Sequence, residues 1–122
     1  MFWYETAPWR KLDRHSFRTL DAEEMLYEFD GPGIFTLRDA DGELNLACWS
    51  DEDSRNTQYL VVPASTGIID ALKLGRLSVH DALNQPRCWL VQVTNDGVID
   101  SVYSGAYDVI PADCRPTEGT ML

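Results

Sequence analysis

From residue 25 onward the chain alternates between apolar and polar positions with the period of a strand. Met25, Tyr27 and Phe29 alternate with Leu26 and Glu28, which predicts a strand over residues 25–29. Gly31-Pro32-Gly33 ends it, because these residues punctuate turns. Residues 34–38 read as a second strand, and Asp39-Ala40-Asp41-Gly42 as a hairpin loop with Gly42 free to take positive φ. Residues 43–49 form a third strand with Leu44, Leu46 and Cys48 on one face. The polar stretch 50–56 reads as a solvated acidic loop, and residues 57–62 as a fourth strand stopped by Pro63.

The period then changes. Ser65 or Thr66 caps a helix over residues 66–74 that carries Ile68, Ile69 and Leu72, with Gly75 at its end. Ser78-x-x-Asp81 starts a second, very short helix that Pro86 stops. His80 falls in its first turn and is expected at the surface. Residues 88–93 and 98–103 are strand-like and flank Asn95-Asp96-Gly97, the strongest hairpin turn in the sequence. Residues 107–110 read as an edge strand and 113–122 as an irregular tail. The expected fold class is α+β: a mixed, mainly antiparallel sheet, built as a meander, a short helical crossover and a C-terminal hairpin, with helix packed on one face.

At 122 residues this is the span of one domain, 1–122. Residues 1–20 form an aromatic and basic N-terminal segment. Trp3, Trp9 and Phe17 are interspersed there with Arg10, Lys11, Arg14 and Arg18. Packing of this segment on the domain is the expected outcome. Stacking on a ligand or base is the competing one.

Charge changes the picture more than composition does. Lys plus Arg number 10 against 20 Asp plus Glu, a formal net charge of -10. Such a surface repels phosphate and anionic membranes, so no direct nucleic-acid or membrane contact is expected. It steers basic partners inward. Solubility alone also accounts for acidity. The opening Met1-Phe2-Trp3-Tyr4-Glu5 lacks the basic and apolar regions of a signal peptide, and no apolar run reaches the ~20 residues of a membrane span, so a cytoplasmic location is expected.

Candidate chemistry is sparse. Cys48, Cys88 and Cys114 are odd in number and form no CxxC, so neither a disulfide framework nor a zinc site is expected. Cys48 and Cys88 lie in apolar runs and read as buried, reduced thiols. His15 and His80 make no metal-binding spacing with each other. A Cys88–His80 nucleophile–base pair is conceivable from spacing but conflicts with burial of Cys88. Asp39, Asp41 and Glu43 imitate the start of a calcium loop, but Leu44 stands where glycine is needed and Ser50 where the last ligand is needed. No GxxxxGK[ST], GxGxxG or GxSxG occurs. The expectation is no catalytic residue, no cofactor and no metal.

Several segments carry a resemblance. Tyr27-Glu28-Phe29-Asp30-Gly31-Pro32, Cys48-Trp49-Ser50-Asp51-Glu52-Asp53 and Tyr59-Leu60-Val61-Val62-Pro63 resemble a family of small uncharacterised bacterial proteins, a domain of unknown function. Gly75-Arg76-Leu77-Ser78, Asp81-Ala82-Leu83 and Trp89-Leu90-Val91 continue the similarity. The resemblance implies a bacterial source and a fold, and it brings no activity or catalytic residue with it.

The favoured function is a non-catalytic acidic interaction domain that binds, and neutralises or regulates, a basic protein partner. An immunity protein, an antitoxin or a nucleic-acid mimic has this size and charge. Trp49 with Asp51, Glu52 and Asp53 is the expected contact, an aromatic anchor beside a negative cluster. The alternative is a small-molecule or regulatory domain with a pocket lined by Trp49, Tyr59 and Trp89. An enzyme built on converging carboxylates is the third reading. The sequence leaves oligomeric state open.

Overall fold

The computed structural model describes residues 2–28 and 32–122. Phe29, the last residue of the first expected strand, and Gly31 of the expected turn lie outside them. Seven strands form one sheet: β1 (Arg10–Lys11), β2 (Glu24–Glu28), β3 (Pro32–Arg38), β4 (Leu44–Glu52), β5 (Asn56–Pro63), β6 (Cys88–Thr94) and β7 (Ile99–Gly105). Their order in space is β1-β7-β6-β5-β4-β3-β2, and every neighbouring pair is antiparallel.

The sheet is therefore antiparallel throughout rather than mixed. Between β5 and β6 lie two helices, α1 (Thr66–Lys73) and α2 (Val79–Leu83). A parallel crossover would have to carry the chain back along the full strand length, ~26 Å for the eight residues of β5. The eight-residue α1 is only ~12 Å long. The helices instead make an excursion at one end of the sheet, and Val61 pairs with Trp89 as the chain returns.

Local signals set the helix and turn positions. The Ser65 hydroxyl accepts from the Ile68 N–H, and the Ser78 hydroxyl from the Asp81 N–H. Gly75 takes φ +69° after α1. Gly42 and Gly97, both at φ +80°, close the β3–β4 and β6–β7 hairpins.

Both faces of the sheet are covered, by different material. On one face Ile69, Leu72, Val79 and Leu83 of the helices pack on Leu46, Leu60, Val62 and Leu90. Trp3, Tyr4 and Trp9 join this core. The indole N–H of Trp9 donates to the Ala106 carbonyl at 3.2 Å. On the other face Phe35, Leu37, Ala47, Val61, Val91 and Val102 are covered by Phe17, with Leu12 and Leu20 beside it.

That second cover follows from topology. β1 and β2 sit at opposite edges, so residues 12–23 must cross the whole sheet. Six inter-strand steps of ~4.8 Å make ~29 Å. Twelve residues span only ~18 Å as a helix but ~40 Å when extended. The segment therefore runs as an extended strap. Leu12 N–H donates to Val102, the Ala40 N–H to Ser16, and Glu23 N–H to Thr36.

Three local expectations are corrected. Residues 50–56 are not one loop: β4 continues to Glu52, β5 begins at Asn56, and only 53–55 turn. Backbone pairing of Asp51 with Gln58 and Glu52 with Thr57 satisfies the chain there, whatever the side-chain polarity. Residues 107–110 add no edge strand, because β1 already occupies the open edge of β7. Tyr107–Val109 forms a 3-10 turn instead, with Tyr107 fully buried. His80 is not a surface residue but is 8% exposed, since α2 turns it toward Tyr107.

Candidate functional site

Cross-strand partners share a face, so register places each side chain of the expected contact. Trp49 pairs with Tyr59, Tyr59 with Val91, and Val91 with Val102, which puts Trp49 on the strap-bearing face. A β-bulge follows at Ser50. Simple alternation would place Asp51 beside Trp49 and send Glu52 away. The extra residue reverses this. Glu52 pairs with Thr57, itself paired with Val93 of the strap-bearing face. Asp51 pairs with Gln58 on the helix-bearing face.

The four residues are therefore divided. Trp49 and Glu52 lie on one face. Asp51 lies on the other, near Cys114, whose thiol is pushed up by burial and by the carboxylates of Asp113 and Asp51. The Ser50 hydroxyl donates to the Cys114 carbonyl at 2.8 Å, fixing the bulge. Asp53 belongs to the hairpin turn. Its Oδ1 accepts the N–H groups of Arg55 and Asn56 at 2.7 and 2.8 Å, and these bonds hold its carboxyl below the usual range.

Trp49 is 43% exposed, unusual for a tryptophan on a sheet face. Beside it Tyr59 is half-buried and packs edge-on against Phe35, ring centroids 5.4 Å apart. Burial raises the Tyr59 phenol, and the Glu52 carboxylate raises it further. The strip continues through half-buried Val93 and Ile99. It adjoins the part of this face that Phe17 covers, and the turns holding Asp53 and Asp96 border it. An apolar, partly aromatic strip with an acidic border is suited to docking a surface of opposite charge. It contains no nucleophile–base pair.

Trp89 does not share this strip. Phe17 of the strap meets it edge-on at 5.3 Å, and the Arg87 guanidinium lies 5.3 Å from its ring centre. Trp49, Tyr59 and Trp89 thus do not face one cavity. A cleft of about 260 Å³ lies instead between α1 and β2–β4, over Leu44 and Ile69. Two ion pairs line it, Arg38–Glu23 at 3.2 Å and Lys73–Glu24 at 2.6 Å.

The Cys88–His80 pair does not form. Cys88 is fully buried, and burial raises its thiol. His80 Nδ1 lies 3.0 Å from the Tyr107 hydroxyl and its Nε2 3.8 Å from Glu118. The Tyr107 phenol is pushed up to about 12, chiefly by burial. Nothing in the spacing of residues 80 and 107 announces this contact. Among the described residues no three His, Cys, Asp or Glu side chains converge as metal ligands. Asp39 Oδ1 accepts from the Asp41 and Glu43 N–H groups, so that carboxylate serves its own turn. No helix among the described residues is long and apolar enough to cross a membrane. No protein-family model, curated protein or solved structure gives a significant match to this chain.

Proposed function

We propose that this protein is a non-catalytic acidic interaction domain that binds, and thereby neutralises or regulates, a basic protein partner. The observation that carries the reading is the pairing of a 43%-exposed Trp49 with Glu52 on one sheet face of a chain with net charge -10. An aromatic ring supplies the anchor that loses water at a contact, and the surrounding field supplies approach from a distance. Asp51 and Asp53 contribute to that field only, since one faces the other side and one is spent on the turn.

The test is kinetic. The partner captured from the native host is titrated against the protein and its variants at several salt concentrations. Glu52→Lys slows association, and its effect shrinks as salt shortens the screening length below ~8 Å. Trp49→Ala speeds dissociation ~10-fold or more with little change in association. Asp51→Lys changes association less than Glu52→Lys. Equal effects of the two charge reversals would refute the one-sided surface.

A further inference from the structure

We infer that the strip beside the strap receives an extended segment of the partner in which apolar residues alternate with Lys or Arg. This inference rests on the basic-partner reading and adds the shape of the occupant. The strap supplies the precedent. It is an extended segment lying across the same face, with Leu12, Phe17 and Leu20 turned inward and Arg14 and Arg18 exposed. The face is thus already built to take this kind of chain once.

Width selects the same occupant. The strip has two rows of side chains, one with exposed Trp49 and half-buried Tyr59 and one with exposed Glu52 and half-buried Thr57, Val93 and Ile99. Residues two apart on a strand are ~7 Å apart. An extended chain lying flat along these two rows is ~5 Å wide by the strand spacing and matches the ~7 Å between them. A helix with its side chains needs ~10–12 Å. Charge then sets the orientation. Glu52 and Asp53 border the strip at one hairpin, Asp96 and Asp100 at the other, while Arg14 and Arg18 lie on the strap side. Apolar side chains point down onto Tyr59, Val93 and Ile99, and the alternating basic ones point away from the sheet, where their long stems reach over to the carboxylates at the turns.

A short capped peptide alternating Lys with Val is titrated against the full-length protein, with the methyl groups of Val93 and Ile99 and the indole of Trp49 followed by NMR. Two controls are a peptide of the same composition with Lys and Val in separate blocks, and a helix-forming Lys/Leu peptide. The alternating peptide is expected to shift these signals and to bind ~10-fold tighter than the blocked one, equal to ~1.4 kcal/mol. Thr57→Lys, which adds charge on the strip at a half-buried position, weakens it to a similar degree. Ile99→Ser, which removes the apolar contact without adding charge, does the same and is read only if the unfolding midpoint shows a folded protein. If the helical peptide shifts these signals more strongly than the alternating one, the extended occupant is wrong and the basic-partner surface stands. If none of the peptides shifts them, both fail.

Discussion

The Nδ1 of His80 and the hydroxyl of Tyr107 lie 3.0 Å apart, and this contact fastens α2 to the turn that follows β7. Both groups are buried, so each depends on the other for its hydrogen bond. Tyr107→Phe keeps the ring and its packing but leaves the imidazole nitrogen without that partner. The expected loss is ~1–3 kcal/mol in urea unfolding. Stability equal to that of the unaltered protein would mean the contact contributes nothing net.

Alkaline pH should destabilise the fold. Burial pushes the Cys48 thiol and the Tyr107 phenol each up to about 12, and raises the Cys88 thiol as well. In the unfolded chain thiols ionise near ~8.5 and phenols near ~10. The stabilisation is complete below those unfolded values and is lost as pH rises toward the folded ones, because the unfolded chain gives up its protons first. The urea midpoint should therefore fall above pH ~9. Cys48→Val should make that fall shallower by up to ~1.4 kcal/mol per pH unit. An unchanged slope would show that Cys48 ionises with equal ease in both states.

Gly105 is required by its neighbour rather than by its backbone angle. A Cβ there would come within 2.5 Å of the Trp9 ring. Gly105→Ala should displace Trp9, weaken its bond to the Ala106 carbonyl and cost ~1–3 kcal/mol. In a Trp9→Ala background the same change should cost almost nothing. Additive losses would break the proposed coupling.

Phe17 is the main apolar fastener of the strap, buried against Trp89. Phe17→Ala should cost ~3–5 kcal/mol and open the strap to trypsin at Arg14 and Arg18 before the sheet is cut. Cleavage elsewhere first, with the strap intact, would show that backbone bonds alone hold it.

The strands were readable where their side chains are buried: the central runs Leu60-Val61-Val62 and Leu90-Val91 are apolar on both faces, and turn residues bound them. Leu44, Leu46 and Cys48 do share a face, and Gly42 and Gly97 do take positive φ. Residues 50–56 misled because the end of β4 is polar on both faces, so pairing continues without an apolar signature. The bulge at Ser50 has no local signature either, yet it decides that Glu52 rather than Asp51 joins Trp49. His80 and Tyr107 were misplaced for a related reason. Their burial comes from a contact between residues 27 apart, which no local period encodes. The strap was the least legible element, since Leu12, Phe17 and Leu20 are spaced by five and three residues, which matches no strand or helix period.

The pairing of β1 with β7 has a consequence for how the chain is made. Arg10 lies opposite Ser104, and the Trp9 indole bonds Ala106, 97 positions later. At translation rates of ~5–20 residues per second the Trp9 segment exists for roughly 5–20 s before its partners have been synthesised. The hairpins of β3–β4 and β4–β5 join neighbouring stretches and close far sooner. Residues 9–11 are thus made long before the partners on which they dock. Until then Trp3, Tyr4, Trp9 and Phe17 stand as an uncovered aromatic segment, the part of the nascent chain that a chaperone would meet.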